Sequence, residues 1–323
     1  MWLGRDVRRA VRVGKVVKRS LARTALSHPI CTGISRNRLG KIIAELAGPW
    51  MAREDARLRE RRGHERVRAE GGGPDHILVF TDRVIATLVV LRFQLPHAVL
   101  AVFYGVDRST ITRAVHEIRP LLAARGFAVP GAPELRLRTL ADVFAYAAAE
   151  GVELRIDGTE VQVRRPRANR PGRRAFVSGK RRQNTKKATV ISDEAGRTLW
   201  TGAIRPGRMH DQTALKTEGT WDLFERYPEV KAQVDAGYRG LAKDFPDQVT
   251  APPKKPGKDA DADDITAWEQ ERKAQSSRRI PVEHANAEHK QWRPLQRYTG
   301  RREYYDEIHL AIAGLVSDRT ALR

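Results

Sequence analysis

The sequence predicts a mixed α/β region over residues 150–323, preceded by an all-helical region over residues 31–130 that contains a helix-turn-helix at 97–119. Three observations carry this. Apolar residues recur at helical spacing from residue 80 to 126, with punctuation at Pro96 and Gly105. The stretch "VELRIDGTEV", from Val152 to Val161, alternates apolar and polar residues as a half-buried strand does. Beyond it, strand-like and helix-like segments follow in the order strand, hairpin, helix, strand, helix, helix.

The N-terminal elements read as follows. The first 30 residues form a basic arm without an evident fold; their first 23 are Arg-rich and almost acid-free, like a transit peptide, yet are not Ser-rich as one is. "SRNRLGKIIAELAGPWMAREDARLRERRG" reads as helices, with Leu39, Ile42, Ile43 and Leu46 in phase, Ser35 as cap and Gly48-Pro49 as a break. "AEGGGPD" at 69–75 reads as a linker. "FTDRVIATLVVLRFQL" is a helix capped by Thr81 or Asp82. A short helix after Pro96 ends near Gly105, and another begins near Asp107 and ends before Pro120, which can start a further short turn of helix.

In the second half, a strand at 152–157 precedes "KKATVISDEAGRTLWTGAI", two strands around the turn "DEAG". "HDQTALKTEGTWDLFERYPE" is helical, "VKAQVDAGYRG" holds a short strand ending in an Asp, and "VTAPPK" can form another. Residues 252–277 read as a polar insertion that begins as loop and continues as helix. "RRIPVEHANAEHKQWRPLQRY" is a long helix with Pro281 in its first turn, and a final amphipathic helix closes the chain.

The 323 residues carry a formal charge of +21 and a pI near 10.6. Residues 1–70 alone hold 18 Lys and Arg against 7 Asp and Glu. Such a balance favours a polyanionic partner, because each cation placed at a phosphate releases condensed counterions. The single cysteine, Cys31, excludes an internal disulfide and a Cys-rich zinc site, and fits a reducing cytoplasm. The most apolar run, "VIATLVVLRFQLPHAVLAVF", is interrupted by Arg92, Pro96 and His97, so no membrane partner is expected.

Within 97–119, Ala101, Gly105 and Ile111 have the spacing of a helix-turn-helix: a small residue for close approach, a glycine for the turn, an apolar residue between the helices. The second helix offers Arg108, Ser109, Thr110, Thr112, Arg113 and His116, side chains suited to base edges and phosphates. A plain helical hairpin with a solvated charged face fits the same spacing. The net charge favours DNA.

Asp157 sits in a strand, where Asp is disfavoured, beside Gly158. Either it starts a turn or a rigid strand end presents it for chemistry. "AQVDAGYRG" repeats that local form at Asp235, and "RIPVEHANAEHKQW" places Glu283 on a helix. Three converging carboxylates would repel unless cations lay between them. Mg²⁺ binds few carboxylates and keeps waters, so three acids can hold two ions of the kind used in phosphoryl transfer.

Together, "DGTE" at 157–160, "PGRMHD" at 206–211, "VDAGYRG" at 234–240 and "RRIPVEHANAEHKQWRPLQR" at 278–297 resemble the DDE catalytic domain of bacterial insertion-sequence transposases, in the branch related to Harbinger elements. The likeness covers residues 32–320. It implies an RNase H-like fold for 150–323, with Asp157, Asp235 and Glu283 as catalytic acids and ligands of two Mg²⁺ or Mn²⁺ ions. It further implies double-stranded DNA as partner, cleavage at the element ends followed by strand transfer, a homodimer or higher oligomer on DNA, and a cytoplasmic, nucleoid-associated bacterial protein. Lys290 follows Glu283 by 290 − 283 = 7 residues, on the same helix face, and the resemblance implies that it contacts end phosphates. Asp211 reads as a helix cap or supporting residue rather than a ligand.

Residues 164–187 hold 11 Lys and Arg, with no acid between Gln162 and Ser192. This run reads as a DNA-gripping basic hairpin or a disordered basic loop. Its candidate phosphate contacts are Arg164, Arg165, Arg173, Arg174, Lys180, Arg181, Lys186 and Lys187. His210, His284 and His289 lack zinc-site spacing and read as phosphate contacts or packed surface residues. A DNA-binding regulator derived from such an enzyme, and a stand-alone nuclease of the same fold, are the rival functions.

Overall fold

The computed structural model describes residues 18–64, 76–165, 172–257 and 259–322. The chain divides into two compact units, the first ending at Leu121 and the second beginning at Leu122. The segment at 69–75, most of the N-terminal basic arm and residues 166–171 of the basic run lie outside the described residues.

The first unit is helical: α1 (Arg19–Leu26), α2 (Pro29–Thr32), α3 (Arg36–Arg62), α4 (Phe80–Phe93), α5 (His97–Tyr104) and α6 (Arg108–Ala123). The part of the arm from Arg19 is thus helical, because Ala22 and Leu26 are buried. Ser35 caps α3 as its sequence suggests, accepting from the Arg38 amide at 3.2 Å. The break expected at Gly48-Pro49 does not occur, and α3 runs through both. Proline there forfeits one backbone bond on an exposed face. Immediately downstream, Trp50 stacks on Phe80 at 4.9 Å beneath the Arg83 guanidinium, which pairs with Glu117 at 2.5 Å. That packing holds the helix on course.

Neither Thr81 nor Asp82 caps α4; Val79 occupies the cap position without a side-chain bond. Asp82 is instead buried and accepts two bonds from Arg23, at 2.7 and 2.9 Å. The helix-turn-helix is formed by α5 and α6. Gly105 adopts φ 61° and lets the Val106 amide reach back to the Ala101 carbonyl at 3.0 Å. Ala101 and Ile111 are buried between the helices. Pro120 does not end α6, since Leu121 and Leu122 beyond it are buried and hold the last turn.

In the second unit, β1 (Phe127–Val129) and β2 (Ala132–Leu137) form a small antiparallel hairpin. Helix α7 (Leu140–Glu150) follows, started by a reciprocal Thr139–Asp142 capping box. A seven-stranded sheet comes next: β3 (Leu154–Val163), β4 (Thr185–Ser192), β5 (Thr198–Thr201), β6 (Arg205–Pro206), β7 (Ala232–Val234), β8 (Val249–Thr250) and β9 (Arg297–Tyr298). Its main path runs β5-β4-β3-β7-β8, antiparallel from β5 to β3 and parallel from β3 to β8. Helices α8 (Asp211–Lys216), α9 (Thr220–Arg226), α10 (Arg239–Asp244), α11 (Ala262–Lys290), α12 (Arg293–Gln296) and α13 (Tyr305–Thr320) complete it. This is the α/β, RNase H-like arrangement that the motifs implied. Ile156, Ile191, Val234, Phe144, Phe224 and Leu241 share its core.

Two boundaries differ from expectation. Strand β3 does not stop at Asp157 but continues to Val163, because β4 pairs with it along its length. The helical part of the polar insertion, from Ala262, and the Glu283 helix are one 29-residue helix, α11, with Pro281 in its interior. Arg155 donates to the Arg278 carbonyl at 3.1 Å, one turn before the proline, and Val282 and Ala285 are buried just after it. Contacts on both sides therefore outweigh the lost bond.

Buried polar groups tie the ends of this unit together. Asp318 of α13, fully buried, accepts from Arg125 at 2.6 Å and from Arg136 at 2.5 Å. Asp318→Ala leaves two guanidinium groups facing a buried gap and should destabilise the protein by about 3–5 kcal/mol in urea unfolding.

His289 of α11 and His309 of α13 are buried 6.4 Å apart, and neither His309 nitrogen has a hydrogen-bond partner among the described residues. Burial lowers His289 to about 4, helped by Lys290, and His309 to about 3, helped by His289 and Lys186. An unfolded histidine titrates near 6.5. Below that pH the unfolded chain takes up protons that the folded chain refuses. Stability from these residues is therefore complete above about pH 6.5 and falls as the pH drops, by about 1.4 kcal/mol per unit for each group. The urea midpoint should accordingly fall more steeply from pH 6.5 to 4.5 in the wild type than in His309→Gln.

Candidate active site

The site begins with a strand register. Ile156 of β3 pairs with Val234 of the parallel strand β7. Asp157 and Asp235 each come one residue later, Asp235 just past the end of β7, so the register brings them to the same level. Chain direction in a parallel pair makes this juxtaposition automatic. Asp157 accepts from the Gly158 amide through Oδ1 at 2.8 Å and from the Asn286 amide through Oδ2 at 2.9 Å. Asp235 caps a single 3₁₀ turn, Ala236–Tyr238, accepting from the Ala236 amide at 2.6 Å. Glu283 reaches the same place from α11. All three line one polar cleft of about 500 Å³, together with Glu160, Lys180, Arg181, Lys187, Asp211, Asn286 and Lys290.

Gly158 has a packing reason. A methyl group there would stand 3.3 Å from Asp211 Oδ1 and from the Tyr238 hydroxyl. Asp211 is not the cap of α8. His210 is, accepting from the Gln212 amide at 3.3 Å, while Asp211 is the first helical residue and pairs with Lys187 at 2.8 Å. Asp211 thus packs against Gly158 and Gly237, the glycines of both acidic motifs. Tyr238, beneath them, is held protonated by burial and by the nearby Asp211 and Asp157.

The cations divide into two groups. Lys180, Arg181 and Lys290 are exposed at the cleft. Arg181 stands 3.7 Å from Glu160, which also accepts from the Thr185 hydroxyl. Lys186 is drawn away, pairing with Asp306 at 2.5 Å over the Tyr305 ring. Arg173 and Arg174 line a separate shallow depression with Arg165. His284 is exposed, but His289 is buried against Thr198, so it is neither a surface residue nor a phosphate contact. On α6, Arg108, Ser109 and Arg113 are exposed and Thr110 is partly so. The Thr112 hydroxyl is engaged by His97 at 2.8 Å and by the Arg108 carbonyl.

Asn286 and Glu160 were missed from the sequence. Asn286 had one available signal: it is the polar residue one turn past Glu283 on a helix whose neighbouring positions, Val282 and Ala285, face the core.

Among the described residues, no three Asp, Glu, His or Cys side chains stand close enough to form a ready cage for a metal ion. A hydrated Mg²⁺ needs no such cage, since it binds through one or two carboxylates and keeps its waters. The donors facing the cleft are oxygens, as a hard cation requires. Asn286 Oδ1 is a buried acceptor without a partner among the described residues, a fit for the O–H of an ion-bound water. The residues therefore suit a hydrated divalent ion.

The family described as "DDE superfamily endonuclease" matches residues 156–317, half of the chain, and so spans all three acids. The family described as "Helix-turn-helix of DDE superfamily endonuclease" matches residues 76–128, which hold α4, α5 and α6. No curated protein and no solved structure matched. Endonucleases of this superfamily generally use divalent metal ions. With the RNase H-like sheet, the acid-lined cleft and the preceding helix-turn-helix, the chain belongs to the DDE superfamily of transposase endonucleases.

Proposed function

We propose that this protein is a cut-and-paste transposase that binds the ends of its own insertion sequence, cleaves them and joins them to target DNA. The observation that carries the proposal is that Asp157 and Asp235 directly follow the paired residues Ile156 and Val234 of the parallel strands β3 and β7, and line one cleft with Glu283. In this reading those three acids hold two Mg²⁺ or Mn²⁺ ions. The ions supply Lewis-acid stabilisation of charge on the phosphoryl oxygens.

The chain's own residues do the rest. Asp157 is oriented by the Gly158 and Asn286 amides, so its carboxylate is set before DNA arrives. Lys290, Lys180, Arg181 and Lys187 supply positive charge along the path of the scissile strand. Arg173 and Arg174 extend that path, and Arg108, Ser109, Thr110, Thr112 and Arg113 read the element end. Hydrolysis joins the water oxygen to phosphorus and releases a 3′-hydroxyl. That hydroxyl then attacks a target phosphodiester, expelling a second 3′-oxygen. Joining two ends calls for at least two protomers on the DNA. The order of the acidic motifs supports placement in the Harbinger-related bacterial branch.

In Mg²⁺ with duplexes from the flanks of its gene, Asp157→Asn should abolish cleavage and strand transfer while binding the end duplex within about two-fold of wild type, since only metal affinity is removed. A wild-type product that is cut but never joined to a second duplex would point to a nuclease instead. Arg113→Ala should weaken end binding. Titration against matched and scrambled duplexes separates a base contact, with a loss of about 1–3 kcal/mol confined to the matched site, from a phosphate contact that weakens both alike.

A further inference from the structure

We propose that Asn286 is a positioning residue for the first carboxylate, tying Asp157 to the helix that carries Glu283. This rests on the catalytic reading above and deepens it. Asn286 follows Glu283 by 286 − 283 = 3 residues, on the same side of α11. It is only 8% exposed, and its Nδ2 donates to Asp157 Oδ2 at 2.9 Å. The other carboxylate oxygen accepts from the Gly158 amide at 2.8 Å. One donor comes from the strand and one from the helix, so together they fix the plane of the carboxylate. An ionised carboxylate can accept about four bonds, so these two donors orient it without filling it by themselves.

The chemistry of the amide suits the task. It donates without bringing a positive charge that would compete with a cation. A lysine in its place would neutralise the acid, a carboxylate would repel it, and an apolar residue would leave Oδ2 without this donor.

The same bond also decides which way the amide faces. An acceptor at Asp157 selects Nδ2, so Oδ1 points elsewhere, and there it is buried without a hydrogen-bond partner among the described residues. Buried acceptors without donors are uncommon and call for an explanation. This one belongs to a residue lining the cleft, where the O–H of a water on a bound ion would satisfy it. Asn286 thus grips the ligand with one atom and offers the other to the ion's hydration shell. Through it, the first and third acids move as one body.

The test uses the full-length protein without DNA and Mn²⁺ as the probe, with free Mn²⁺ read by electron paramagnetic resonance. Asn286→Leu removes the donor while keeping the branched heavy-atom outline, and Asn286→Gln keeps an amide on a longer stem. Asp157→Asn is measured in parallel, and thermal melting of each metal-free variant reports folding. The expected result is a Mn²⁺ dissociation constant raised about 10–100-fold in Asn286→Leu, the usual effect of losing a group that orients a ligand, with partial recovery in Asn286→Gln. If Asn286→Leu melts out, Asn286→Ala takes its place with the same expectation. Equal affinity in wild type and the donor-free variant, or equal weakening in the Leu and Gln variants, overturns the positioning role alone. Wild-type Mn²⁺ binding that does not depend on Asp157 overturns the catalytic reading itself, and this role with it.

Discussion

The second unit depends on the parallel pairing of β3 with β7. Parallel strands carry equivalent positions to the same level, so the Ile156–Val234 pair delivers Asp157 and Asp235 side by side. The apolar residues that bury these strands and the acids that follow them are parts of one device. A slip of one residue would turn Ile156 and Val234 out of the core and the carboxylates into it. Burial of the two apolar side chains therefore enforces the position of the acids, and the like charges are held together by a core that pays for their repulsion.

Around this pair the cleft is charge-balanced in a chain that is strongly basic overall. Lys187 pairs with Asp211, Arg181 lies near Glu160, and Lys290 stands on the helix of Glu283. Asp211 lies beside the glycines of both acidic motifs, and at Gly158 an added methyl group would crowd it at 3.3 Å. Exposed cations outside the cleft include Arg108 and Arg113 on α6 and Arg164, Arg165 and Arg174 of the basic run.

The third acid depends on a helix that local rules would have broken. Pro281 lies two residues before Glu283 inside α11, and the strand that carries Asp157 also supplies Arg155 to the carbonyl one turn earlier. Asn286 then makes the second link, to Asp157 itself. The helix is thus fastened to β3 on either side of Glu283. Proline in a helix costs about 3 kcal/mol, a sum that two such links and the burial of Val282 and Ala285 can offset.

By itself the sequence determined the class of the fold, the helix-turn-helix and the order of the acidic motifs. Each rests on local pattern: alternation at 152–161, the Ala101–Gly105–Ile111 spacing, a small residue after each strand Asp. The proline break at Pro49, the helix start placed at Pro281, the cap at Thr81 or Asp82 and the end of β3 at Asp157 were misread for one reason. In each, a contact distant in sequence overrode a local preference: Trp50 on Phe80, Arg155 on α11, Arg23 on Asp82, β4 along β3. Only the tertiary structure could bring Asn286 to Asp157 across 286 − 157 = 129 residues, pair Lys187 with Asp211, or hide His289 in the core. A side chain's role there is set by which other element it meets, and that is decided by packing rather than by spacing along the chain.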